Sequence, residues 1–251
     1  MPEAEDIYRG YERWKNWTAL FTIDADTAGY FDGELQGSAL GGANVLELGF
    51  GAGDFIAWAR NAGANVVGTE VNNVLLDAAR QHGIETLPAA IDTVADQNAA
   101  RFDAIVAFDV FEHLDLDGVR TALAACATML KPGGRLFLRF PNAQSPFGLP
   151  PQNGDITHKS KLSRSAFEQM IDHNAFQIER YGPPFRFLGS RVWSQPMRRV
   201  RGVVQDVFSG LLNTIFAQNI PWHPVVVLVM RRREAQAVLA DPAAQAIMKR
   251  P

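Results

Sequence analysis

The run Val45-Leu46-Glu47-Leu48-Gly49-Phe50-Gly51-Ala52-Gly53-Asp54-Phe55 decides how the rest of this chain is read. A short apolar segment enters a turn with glycine at every second position, and a helical pattern (Phe55, Ile56, Trp58, Ala59) leaves it. The stretch therefore reads as a strand, a tight turn and a helix start. Glycine lets the backbone take positive φ and lets a ligand approach without meeting a Cβ. The free N–H groups of the helix start favour a polar or anionic ligand group, so the turn is where a ligand would sit.

Outward from this point the pattern stays regular. Strand-like runs at 45–48, 66–71, 102–110 and 135–140 alternate with helical ones near 55–62, 74–82 and 119–130. Such alternation predicts βαβ units and a parallel sheet, whose ligands bind at the carboxyl ends of the strands. The glycine turn, Glu70 and Asp109 all fall at such ends. Lys131-Pro132-Gly133-Gly134 reads as a turn that stops one helix and launches the next strand.

After Pro141 the chain loosens into a stretch rich in proline and glycine, 142–151, too broken for a strand or helix. A loop of this length is usually functional or mobile. Ser165 with Glu168 reads as a capping box opening a helix from Phe167 to His173. Further strands are expected at 176–181 and 225–230. Between them, Val200, Val203, Val204, Val207, Phe208, Leu211, Leu212, Ile215 and Phe216 keep a three-and-four spacing that predicts one long amphipathic helix.

Composition bounds the possibilities. With 251 residues, 47% hydrophobic and 20% charged, the chain suits one compact domain or a domain with a small appendage. A net charge of −3 gives no reason to expect nucleic acid as a partner. The single cysteine, Cys126, lies in an apolar helical stretch and reads as a buried structural thiol. Residues 1–10 are acidic without an apolar core, and no run approaches the roughly 20 apolar residues that span a bilayer. A cytoplasmic protein is expected. The parts expected are a helical cap over residues 1–40, a core over 41–182, an insert over 183–224, a last core strand over 225–233 and a peripheral tail from 234. The aromatics of the cap (Tyr8, Tyr11, Trp14, Trp17, Phe21, Tyr30, Phe31) read first as cover for exposed core and second as a substrate lid. Asp24-Ala25-Asp26 reads as a turn or helix cap.

With these pieces placed, the chain resembles the class I S-adenosylmethionine-dependent methyltransferases. The resemblance rests on Leu46 to Gly53, Glu70 at the end of the second strand, Asp92 after the third, Phe102 to Leu114 around the fourth, and Lys131 to Asn142. It covers residues 43–182 closely and reaches about residue 233. It implies a Rossmann-like, doubly wound α/β fold: a seven-stranded, mostly parallel sheet with one antiparallel strand and helices on both faces. It also implies S-adenosyl-L-methionine as cofactor and S-adenosyl-L-homocysteine as product; separately, the sequence shows no obvious metal-ligand cluster, so no metal is expected. Glu47 is similar to the residue that holds the amino end of the cofactor. Gly49, Phe50, Gly51 and Gly53 would give the methionine portion its close approach, while Glu70, with Val71 beside it, would accept from the ribose hydroxyls. Asp92 and Thr93 resemble the adenine contacts, Phe108 and Asp109 the residues passing beside the cofactor. For Asp92 a bare helix cap is the competing reading.

The implied reaction is methyl transfer to a small acceptor: a hydroxyl of a saccharide, a quinone-like metabolite or a lipid-linked intermediate. A hydroxyl acceptor needs a base with a pKa near the working pH, and histidine is the natural candidate. His82, His173 and His223 read as structural or exposed, whereas His158 and His113 follow the long loop and the fourth strand. His158 is favoured as base and His113 as substrate contact; the alternative is that Glu112 binds backbone at a helix start and His113 merely packs. Phe185, Arg186, Phe187, Arg191 and Trp193 of the insert could line a specificity pocket. The cations Arg198, Arg199 and Arg201 open the long helix against its dipole, which calls for a carboxylate partner, an anionic substrate or an acidic membrane surface along 198–218. The apolar stripe would otherwise pack on the sheet or form a homodimer contact. Two rival classes are a non-catalytic scaffold that kept the fold and a nicotinamide-dependent dehydrogenase. Against the dehydrogenase stands Asp54, in the place of a third fingerprint glycine.

Overall fold

The computed structural model describes residue 17 and residues 19–35 and 40–234. Tyr8, Tyr11, Trp14 and the tail from 235 lie outside the described residues. In chain order the elements are α1 (Ala25–Glu34), β1 (Asn44–Leu48), α2 (Asp54–Asn61), β2 (Asn65–Thr69), α3 (Asn73–Gln81), β3 (Glu85–Leu87), β4 (Phe102–Phe108), α4 (Leu116–Met129), β5 (Leu130–Pro141), α5 (Leu149–Asn153), α6 (Arg164–Met170), β6 (Phe176–Gly182), α7 (Gln195–Ile215) and β7 (Val225–Arg232). Short 3-10 turns at Ile91–Val94 and Phe111–His113 carry residues of interest below.

The seven strands form one sheet in the order β3-β2-β1-β4-β5-β7-β6. All neighbours are parallel except β7, which runs antiparallel to both β5 and β6. The order reverses between β1 and β4, so a crevice opens beyond their carboxyl ends. Strand alternation feeds two cores. Leu46, Ile105, Leu138 and Phe140 pack with Met129 of α4 and Phe167 of α6 on one face. Val45, Val106 and Phe137 pack with Phe31 of α1 and Phe55 and Trp58 of α2 on the other. Cys126 is fully buried in the first core, and burial pushes its thiol up to about 12.

The helix starts follow local chemistry. Asp24 caps α1 by accepting from the N–H groups of Asp26 and Thr27, as a short carboxylate outside the first turn should. Gly53 caps α2 with φ of 79°, a conformation in which a side chain would be strained.

Several expectations need correction. β5 takes in the 131–134 segment, which is a bulge where the pairing with β4 jumps from Leu130 to Arg135. The cap of α6 is Ser163, accepting from Ala166 N–H, and the helix ends at Met170, which leaves His173 beyond it. The stretch 142–151 is not wholly irregular. Pro150 and Pro151 fall in the first turn of α5, where the missing N–H is no loss. β7 runs past the 225–230 strand pattern to Arg232, which donates to the carbonyls of Thr128 and Leu130 and ties down the end of α4. The long helix α7 exists, but its apolar stripe does not pack on the sheet: Val200, Val204 and Val207 are all at least 59% exposed.

Candidate active site

A cavity of about 800 Å³ lies beyond the carboxyl ends of β1 and β4. The glycine turn forms one wall, with Glu47, Gly49, Phe50, Gly51 and Gly53 lining it. Glu70, Val71, Phe108, Asp109, His113 and His158, each expected at the site, line it as well. Asp92 and Thr93 do not line it. They sit in the 3-10 turn after β3, both exposed, and Thr93 donates to the carbonyl of Ala90; the cavity reaches Ala89 instead.

Glu47 is 5% exposed, and one of its carboxylate oxygens has no hydrogen-bond partner. Burial first, then the nearby Asp54 and Glu70, raise its pKa well above the ordinary value for glutamate. An unpartnered buried oxygen is costly unless something fills the need. Glu70 turns its carboxylate to the backbone, accepting from Gly51 N–H at 3.0 Å, Val71 N–H at 2.7 Å and Asn72 N–H at 3.1 Å. It thereby braces the glycine turn against the start of α3.

Asp109 ends β4 in the left-handed region with φ of 58°, a strained place for a residue with a Cβ. Arg139 of β5 holds it there through paired N–H···O bonds. Burial works against the guanidinium charge, but Asp109 and Tyr30 outweigh it and hold the Arg139 pKa above that of an ordinary arginine. The guanidinium also lies 4.9 Å from the ring centre of Phe108.

On the far side of the crevice the segment 155–160 folds back onto the turn after β4. The N–H groups of Lys159 and Ser160 donate to the carbonyl of Glu112, at 2.7 and 3.0 Å. This return places His158 against Glu112, Nε2 to Oε1 3.9 Å, and its ring 4.6 Å from that of His113. Glu112 is 1% exposed and neither of its oxygens has a hydrogen-bond partner. Its side chain does not serve the backbone as expected. Burial, followed by repulsion from Asp109, pushes its carboxyl well above the usual range.

Hydrogen bonds fix both imidazoles. His158 Nδ1 lies 3.0 Å from the carbonyl of Gln152, which can only accept, so Nδ1 carries the proton and Nε2 the lone pair of the neutral ring. Thr157 donates its hydroxyl to Asp155 at 2.5 Å, and so accepts from His113 Nδ1 at 2.8 Å. The three donor atoms of Glu112, His113 and His158 lie within 4.8 Å of one another. The sequence shows no obvious metal-ligand cluster; the fold assembles this candidate trio from segments about 45 residues apart, along the wall of the cavity.

Both readings of the N-terminal aromatics, core cover and site wall, find a place in the structure. Trp17 and Phe31 wall the cavity, so the N-terminal aromatics take part in both core and site. A Cβ on Gly51 would meet the Trp17 indole at 2.9 Å. A second cavity of about 750 Å³ lies under α7 and shares Asp109, Arg139 and Val225 with the first. Phe185, Arg186 and Phe187 line it as expected, but Arg191 and Trp193 do not.

The model of the methyltransferase domain family matches residues 30–182, more than half of the chain. Among curated relatives, the ubiquinone biosynthesis O-methyltransferase of Hahella chejuensis is 33% identical over 144 residues, 55% of this chain and 58% of the relative. That of Idiomarina loihiensis is 32% identical over 124 residues, 47% of this chain and 49% of the relative. The chain thus spans about half the length of the curated relatives it matches. Among solved structures, a SAM-dependent methyltransferase from Archaeoglobus fulgidus superposes with a TM-score of 0.54 at 17% identity, covering 78% of this chain and 88% of that one. Magnesium protoporphyrin IX methyltransferase from Synechocystis, solved with bound SAH, superposes with a TM-score of 0.55 at 15% identity, covering 92% and 98%. Family match, strand order and first glycine motif agree: the chain belongs to the class I S-adenosylmethionine-dependent methyltransferases.

Proposed function

We propose that this chain is an S-adenosylmethionine-dependent O-methyltransferase whose acceptor is a hydroxyl of a small, quinone-like molecule. The observation that carries the reading is the facing of two sets of groups across one cavity. Glu47 and the glycine turn form one side, and the Glu112–His158 pair forms the other. The donor chemistry fits the cofactor. Glu47 offers an unpartnered buried carboxylate oxygen to the cationic amino end. The backbone of Gly49, Phe50, Gly51 and Gly53 admits the methionine portion, and Glu70 with Val71 stands at the ribose end, its carboxylate exchanging backbone N–H donors for hydroxyls. Phe108 and Asp109 flank the middle. Asp92 and Thr93 are set aside as adenine contacts because they lie off the cavity.

When bound, the cofactor supplies a methyl carbon already activated by its sulfonium, so alignment supplies much of the rate. The chain's own task is to hold the acceptor and take its proton. His158 is suited to that task because Gln152 keeps the proton on Nδ1 and leaves Nε2 as the base. Glu112 beside it balances the imidazolium that forms. His113, oriented by Thr157 and Asp155, contacts the acceptor. The quinone-like class follows the names of the curated relatives; saccharides and lipid-linked intermediates are the other classes to screen.

Titration calorimetry with S-adenosylhomocysteine, run in parallel with nicotinamide cofactors, tests the reading. Binding of S-adenosylhomocysteine alone, lost in Glu70→Ala, supports it. Binding of a nicotinamide alone would replace it with the dehydrogenase, and binding of neither would leave the scaffold.

A further inference from the structure

We propose that the outward face of α7 docks on an anionic phospholipid surface, lying in the plane of the membrane interface. The helix is attached with its polar side inward. Arg186 forms a paired ion bridge to Asp206, both contacts at 2.7 Å, and donates to the carbonyl of Gly202; Arg198 reaches Asp26 of α1 at 3.3 Å. Gly202 is the one buried residue of α7 among those described. The apolar side points the other way. Val200, Val204, Val207, Leu211 and Ile215 recur at spacings of three and four and are each 53–67% exposed. Trp193 and Met197 continue the stripe at its start, 78% and 74% exposed. A soluble amphipathic helix packs the other way round, and an exposed apolar row of this length is not scattered surface.

Charge selects the occupant. Residues 183–224 carry five arginines against one acid, Asp206, within a chain whose net charge is −3. Arg186 is paired with Asp206 and Arg198 with Asp26, so Arg199 and Arg201 are the cations of α7 whose counter-charge lies outside these pairs. At about 100° per residue, Arg199 and Arg201 lie on opposite flanks of the stripe. A second copy related by a two-fold axis would bring the same basic flanks together, whereas anionic headgroups supply the missing counter-charge. Trp193 has the amphipathic ring that favours headgroup depth. No helix among the described residues is long and apolar enough to cross a membrane, so the helix lies on the surface. Arg198, Arg201 and Gln205 also line the second cavity, which meets the candidate active site at Asp109 and Arg139. Docking would set that cavity's wall against the bilayer. The proposal does not depend on methyl transfer.

The test is flotation of the full chain with phosphatidylcholine vesicles, with and without phosphatidylglycerol, beside sedimentation velocity of the protein alone. Strong binding to the phosphatidylglycerol vesicles, weak binding to neutral ones and weakening by salt are expected. Val204→Glu with Leu211→Glu should cut binding at least about tenfold, with the thermal midpoint unchanged because both sites are exposed. The proposal is overturned by no binding to either vesicle, by binding indifferent to the two glutamates, or by a dimer that the glutamates disperse.

Discussion

His158 and Glu112 face each other with Nε2 and Oε1 3.9 Å apart, both side chains at least nine-tenths buried and brought together by the return of segment 155–160 onto the turn after β4. A proton taken from a hydroxyl enters a buried site in which His158 Nε2 and a Glu112 carboxylate oxygen are the two facing acceptors. This is a favourable place to accept such a proton.

His158→Ala is expected to lower turnover by roughly 10²–10⁴-fold while leaving S-adenosylhomocysteine affinity within experimental error. Glu112→Gln should also lower turnover, and by less. Steady-state kinetics beside calorimetry checks both, and equal loss of cofactor affinity in His158→Ala would remove its role as base.

Cofactor binding should be linked to protons. Without cofactor, Glu47 holds its proton to a pH well above the ordinary range because its carboxylate is buried, Asp54 and Glu70 lie near it, and one of its oxygens has no hydrogen-bond partner. An ammonium placed beside it favours the ionised form, so binding of S-adenosylhomocysteine expels a fraction of one proton. Calorimetry at fixed pH in two buffers of different ionisation heat measures that number. Glu47→Gln should bring it close to zero and weaken binding.

The pair of raised carboxyls also shapes stability. Both Glu47 and Glu112 bind protons more tightly when folded than when unfolded. Their contribution is therefore complete below the unfolded glutamate pKa of about 4.3 and is lost as pH rises through their folded values. Each contributes a slope of at most about 1.4 kcal/mol per pH unit. Thermal midpoints without ligand are expected to fall from mildly acidic to neutral pH, and the double variant Glu47→Gln with Glu112→Gln should flatten that fall. A steeper profile in the double variant would contradict the assignment.

What the sequence makes legible depends on how local the cause is. The β1–turn–α2 unit is readable because apolar alternation, three glycines and a helical stripe all sit within one short stretch. β3 is hard to place, being three residues long and half-exposed. The bulge at 131–134 and the helix α5 are hidden because proline and glycine signal a break without specifying the element beyond it. The pairing of Glu112 with His158 is hidden for a different reason: the two are distant in sequence, and only the fold supplies the contact. The periodicity of α7 reveals an apolar face but not which way it points, since the ion pairs of Arg186 and Arg198 that fix the helix use partners elsewhere in the chain.

Arg139 should be the more structural member of the pair that separates the two cavities. It holds Asp109 in its left-handed conformation and stacks near Phe108, while Asp109 itself is partly open to solvent. Removing the guanidinium in Arg139→Met leaves a strained aspartate without its counter-charge, repelling Glu112 more strongly. Lower thermal stability and weaker S-adenosylhomocysteine binding are expected together. Asp109→Gly relieves the strained backbone, but it leaves the Arg139 charge without its main partner. Relief of strain should offset part of that loss, so its thermal midpoint is expected to fall less than that of Arg139→Met. A greater fall would show that the arginine's need for a carboxylate dominates.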